Sequence, residues 1–128
     1  MIQLSNIKNE TPSKKEMLLG AIRLWALTQG MKEITDEEDY TYWTDIAFKK
    51  EDKIYGFITE FDRNVEKLKF KSVFVRDFCD YAYIVTDDEN KKKYIEDNTV
   101  DGMGILCYSN AFGLGMTYQI LKNPRLLY

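Results

Sequence analysis

The chain predicts a single α/β (α+β) domain over residues 1–128, with a mixed central sheet and flanking helices. Three observations lead there. Two neighbouring stretches, Tyr40 to Phe48 and Ile54 to Phe61, are rich in strand formers. The first alternates Tyr42, Thr44, Ile46 and Phe48 against Trp43, Asp45 and Ala47. The run Tyr81-Ala82-Tyr83-Ile84-Val85-Thr86 is apolar without alternation, the composition of a strand covered on both faces. Helix-patterned segments lie before the first strand and between the second and third.

The elements follow in order. Ser13 and Glu16 are spaced as a capping box, so a helix starts there. It carries Met17, Leu18, Ala21, Ile22, Leu24, Trp25 and Leu27, and Gly30 stops it. Asp36-Glu37-Glu38-Asp39 reads as a solvated acidic loop. Lys49-Lys50-Glu51-Asp52-Lys53 reads as the turn joining the first two strands. Arg63 to Phe78 reads as a helix with Val65, Leu68, Ser72 and Val75 on one side and lysines on the other. Asp87 to Asn98 is charged and reads as a loop or a short surface helix. Gly104 to Tyr108 and Met116 to Leu121 read as two final strands, joined by a turn over Asn110 to Gly115, with Pro124 closing the last.

Composition narrows the chemistry. A hydrophobic fraction of 45% fills a core at 128 residues. The net charge of −3 does not advertise a nucleic-acid binder, although the lysines cluster locally. The absence of histidine removes Ser-His and Cys-His nucleophiles and the commonest soft-metal ligand. Cys79 and Cys107 form no CxxC pair and read as buried thiols. There is no signal-peptide pattern and no apolar run near the ~20 residues that span a bilayer. A cytoplasmic protein with no membrane contact is the expectation.

The residues that carry chemistry are acidic. If the first two strands pair, Asp45 meets Glu60 and Asp62 at one place. Clustered carboxylates repel unless a cation sits among them, and Mg²⁺ or Mn²⁺ prefers oxygen ligands. Asp45, Glu60 and Asp62 are therefore candidate metal ligands. The plainer readings are Asp45 as a surface residue or hydrogen-bonded turn partner, Glu60 and Asp62 as a solvent-facing polar edge, Glu16 as a cap in place of an auxiliary ligand, and Lys91-Lys92-Lys93, which could contact phosphates, as loop decoration.

From Trp43 to Tyr108 the chain resembles the PD-(D/E)XK nuclease superfamily, nearest to the MmcB-like branch linked to DNA repair. Five segments carry the resemblance: Glu16 on the first helix, Thr44-Asp45-Ile46, Gly56-Phe57-Ile58-Thr59-Glu60-Phe61-Asp62, Phe78-Cys79-Asp80-Tyr81-Ala82-Tyr83, and Gly102-Met103-Gly104-Ile105-Leu106-Cys107-Tyr108. The resemblance implies a restriction-endonuclease-like fold. It also implies a divalent-metal-dependent nuclease acting on DNA, with Asp45 and Glu60 on Mg²⁺ or Mn²⁺. The pattern wants a lysine two residues after Glu60, where this chain has Asp62. Lys67, Lys69 and Lys71 on the following helix are the candidate replacements, and Lys71 matches a lysine that the branch tends to carry. On that basis Asp45, Glu60 and Lys71 are the candidate catalytic residues. The alternatives are a degenerate relative that binds nucleic acid or a protein partner, inhibition of a nucleic-acid enzyme included, and an assembly module using exposed strand edges.

Overall fold

The computed structural model describes residues 13–35, 44–60, 64–109 and 117–127. Helix α1 (Lys14–Thr28) leads into strand β1 (Lys32–Glu33). Strands β2 (Ile46–Lys50) and β3 (Lys53–Glu60) form a hairpin, helix α2 (Val65–Phe74) crosses to strand β4 (Tyr81–Thr86), and helix α3 (Lys92–Asp97) crosses to strand β5 (Gly104–Ser109). Strand β6 (Thr117–Lys122) closes the order. One six-stranded sheet runs β1-β2-β3-β4-β5-β6. β3, β4 and β5 are mutually parallel, and the outer pairings are antiparallel. This is the mixed sheet with flanking helices that the sequence predicts. β1 carried no readable signal, being two residues long.

Ser13 caps α1 as expected, with both halves of the capping box formed. Gly30 follows the helix at φ +78°, a conformation open to a residue without a Cβ. The hairpin turn is tighter than the charged stretch suggested. Lys49 and Lys50 belong to β2 and Lys53 to β3, leaving Glu51 and Asp52 as a two-residue turn with φ of +50° and +69°. Helix α2 is shorter than Arg63 to Phe78, because Val75–Asp77 tightens into a 3₁₀ turn. The segment Asp87 to Asn98 resolves into a 3₁₀ turn at Glu89–Lys91 followed by α3. The acidic loop over 36–39, the turn over 110–115 and Asp62 lie outside the described residues.

Each face of the sheet is covered. On one, Leu18, Ile22, Trp25 and Ala26 of α1 meet Phe57, Tyr83, Val85, Leu106 and Tyr108. On the other, Leu68 of α2 and Ile95 of α3 meet Ile58, Ile84 and Ile105. β4 contributes alternate residues to both, which explains its unbroken apolar run. Leu24 and Leu27 fall on the outer side of α1 and are exposed, so they do not join the core. Cys79 and Cys107 are buried free thiols. No helix among the described residues is long and apolar enough to cross a membrane.

Candidate functional site

Asp45 immediately precedes β2. Its amide donates to the Phe57 carbonyl at 2.8 Å, which carries the hairpin ladder one step beyond the Ile46–Phe57 pair. The next residue of β3 is Ile58, and Glu60 lies two further along, on the face Ile58 shares. The Asp45 carboxylate then reaches across the hairpin. Its Oδ2 accepts from the Thr59 amide at 2.7 Å and from the Thr59 hydroxyl at 2.9 Å. The hairpin thus carries Asp45 and Glu60 to one end of the sheet. Both are buried: the side chains are 3% and 2% exposed. Glu60 is therefore not the solvent-facing edge residue of its plainer reading, whereas Asp45, bound to Thr59, fits the hydrogen-bonded partner of its own.

A buried carboxylate is costly unless a cation or hydrogen-bond donors meet it. Lysines from three different elements do so. Lys15, in the first turn of α1, places Nζ 2.9 Å from Asp45 Oδ1. Lys71, on α2 across the sheet from α1, places Nζ 3.7 Å from the same oxygen. Lys91, at the end of the 3₁₀ turn after β4, places Nζ 3.4 Å from Glu60 Oε2. Beside them Lys14 pairs with Asp87 at 2.8 Å.

Burial alone would push the Asp45 carboxyl up. The Lys15 hydrogen bond, the Thr59 amide, the charge of Lys71 and the Thr59 hydroxyl outweigh it, and the group is held below the ordinary aspartate range. Burial pushes the Lys71 ammonium down. Asp45 opposes this, while repulsion from Lys67 and Lys15 adds to it. A shifted lysine beside a shifted, buried aspartate is the kind of environment that concentrates at functional sites.

The structure therefore joins Asp45 to Lys71 and places Glu60 on the neighbouring strand. Glu16 is engaged as a cap, its carboxylate accepting from the Ser13 amide at 3.4 Å. Lys69 is exposed. Two participants escaped the sequence: Lys15 lay hidden in a helix start, and Thr59 looked like an ordinary strand residue. Lys91 belongs to a lysine run that reads either as phosphate contact or as loop decoration. Lys92 and Lys93 fit the latter, making i,i+4 pairs with Glu96 and Asp97 on the surface. Lys91 does not: its side chain is 10% exposed.

Among the described residues no three Asp, Glu, Cys or His side chains are grouped to cage a metal ion. The donor chemistry suits a looser arrangement. Mg²⁺ keeps several waters and commonly takes one or two carboxylates together with substrate phosphate. Asp45 and Glu60 offer such oxygens. Of the ammoniums on Asp45, Lys15 is the one free to yield, being 45% exposed against 18% for Lys71. No family model, curated protein or solved structure matches the chain.

Proposed function

We propose that the chain is a restriction-endonuclease-like domain that hydrolyses DNA phosphodiesters with Mg²⁺ or Mn²⁺, Asp45 and Glu60 being the ligands and Lys71 the substitute for the absent motif lysine. The observation that carries the reading is the Lys71 ammonium 3.7 Å from Asp45, at the end of the sheet where β3 delivers Glu60. The order of elements supports it as well: a helix, the hairpin bearing both carboxylates, a crossover helix, a buried parallel strand and a glycine-led strand.

A divalent ion bound there would activate a water and brace the phosphate. The chain's own residues do the rest. Thr59 holds Asp45 in one orientation through two hydrogen bonds. Lys71 holds the attacking water and offsets the negative charge that builds on the phosphate oxygens. The water oxygen bonds to phosphorus, the ester oxygen departs with the bonding pair and is protonated, and the net change is addition of one water across a P–O bond.

The test is calorimetric titration of Mn²⁺ into the wild type, Asp45→Ala and Glu60→Ala, followed by incubation with single- and double-stranded DNA. The expected outcome is binding and cutting by the wild type, with both lost in the carboxylate variants. Lys71→Met keeps the ion and loses ~10²–10³-fold in rate. Absence of Mn²⁺ binding, with every activity unaltered in Asp45→Ala and Glu60→Ala, refutes the proposal. A second reading, a degenerate relative that binds without cutting, is favoured by the ammonium partners that both buried carboxylates already have. It predicts DNA or protein capture that is indifferent to Mn²⁺.

A further inference from the structure

One edge of the sheet is blunted and the other is not. On one side β1 ends the sheet with two charged residues, Lys32 and Glu33, and the Arg23–Glu33 ion pair at 2.9 Å ties α1 to that edge. On the other side β6 ends it with six residues, Thr117–Lys122, free of proline and with Lys122 as their one charge. Among the described residues β6 pairs with β5 alone, so its outer amides and carbonyls meet no strand. Short or charged strands keep neighbours off a sheet edge, whereas a longer uncharged edge is a template for another strand.

The surface beside the β6 edge is apolar. Tyr118 and Ile120 pair with Tyr108 and Leu106, and so share the sheet face that α1 covers. On α1, Met17, Ala21, Leu24 and Thr28 recur at steps of four, three and four residues, which is one flank of a helix. That flank and the sheet enclose a groove of about 670 Å³, with Tyr108 and Tyr118 as its floor. Met17, Leu24, Leu27, Tyr118 and Ile120 are each between 42% and 71% exposed. At about 200 Å² for a large side chain in full exposure, the five present roughly 550 Å². Gln119, Thr28 and the strand backbone bring the patch toward the ~800 Å² that each partner buries in a standard interface.

We propose that this surface is the interface of a homodimer, in which β6 pairs antiparallel with β6 of a second copy and joins the two six-stranded sheets into one. A half-turn about the sheet normal makes a strand its own antiparallel neighbour and keeps each face where it was. Both α1 helices then lie on the same face, and their apolar flanks meet over the seam. A strand from another protein would satisfy the edge and leave the α1 flank bare. A second copy covers both with the same two pieces. The blunted edge at β1 ends the assembly at two, where an open one would let it run on into a filament. β4 and β5 separate β6 from the strand that carries Glu60, so the dimer does not rest on the nuclease reading.

The experiment is sedimentation equilibrium of the full chain over the micromolar range, comparing the wild type with Ile120→Lys, Leu24→Glu and Phe70→Glu. Phe70 is the control, an exposed apolar residue on α2, which packs on the opposite face. The wild type is expected to sediment at twice the mass of the chain, and to do so at high salt as well, because the patch holds no ion pair. Ile120→Lys brings two like charges together across the axis, and Leu24→Glu puts a carboxylate into the seam. Each is expected to raise the dimer dissociation constant ~10²-fold with the far-UV circular dichroism retained. Phe70→Glu leaves the constant unchanged. The two interface variants sit on separate elements, so one that fails to fold leaves the other decisive. A monomeric wild type overturns the proposal, including one whose edge takes up a strand from another protein. A dimer that both interface variants leave intact, or that Phe70→Glu or high salt dissolves, overturns it as well.

Discussion

Gly56→Ala is a mild change on paper and a severe one in this sheet. Gly56 sits in β3 between Ala47 of β2 and Ala82 of β4, a row of small residues across three strands. A Cβ added at Gly56 would lie 2.6 Å from the Cys79 Sγ and 2.7 Å from the Thr44 Cγ2. Both neighbours are buried, at 2% and 1% exposure, and neither is the far end of a flexible side chain. Interiors are packed to crystal density, so the added methyl must displace these buried side chains or the backbone that carries them. Overpacking of this kind costs about 1–3 kcal/mol. At about 4 °C per kcal/mol for a domain of this size, the melting temperature falls by about 4–12 °C. The Thr44 side of the clash also bears on function, since Thr44 leads directly into Asp45. The assay is urea unfolding of the wild type, Gly56→Ala, Cys79→Ala and the double variant. Removing the thiol relieves the nearer contact, so the double variant is expected to be more stable than the two single effects summed, by about 0.5 kcal/mol or more. A Gly56→Ala midpoint equal to wild type, or strict additivity with Cys79→Ala, refutes the argument.

Two further predictions concern titration and access. The Asp45 carboxyl is held below its ordinary value, so its folded pKa is lower than its unfolded one. The stability it confers is fully present above about pH 4 and is lost as the pH falls through the folded value. Thr59→Val removes one hydrogen bond to Oδ2 and narrows that window from below, which carboxyl-carbon NMR titration of Asp45 reads directly. The Cys79 thiol is buried and pushed up to about 12, chiefly by burial and then by Asp80, so the thiolate is scarce at neutral pH. Its reaction with an aromatic disulfide reagent should therefore track unfolding in urea, and rapid labelling in native buffer would contradict the burial.

Local signals in the chain carried much of the fold. The Ser13–Glu16 capping box and Gly30 bounded α1, the unbroken run Tyr81 to Thr86 marked a strand covered on both faces, and the density of strand formers marked β2 and β3, although β2 begins at Ile46 and its Ile46, Ala47 and Phe48 are all buried rather than alternating. These are legible because each depends on neighbours within a few residues, through hydrogen bonds to the nearest backbone or through side chains repeating along one face. The pairing of β2 with β3 made Asp45 and Glu60 candidates for one site for the same reason. Which ammoniums meet those carboxylates was decided by the tertiary structure. Lys15 arrives from a helix on one face of the sheet, Lys71 from a helix on the other, and Lys91 from the turn beyond β4. A charged side chain leaves no periodic trace of where its far end goes. An ion pair across layers depends on how elements cross, and for this reason Lys91 and the surface pair Lys92 and Lys93, adjacent in the chain, have opposite surroundings in the fold.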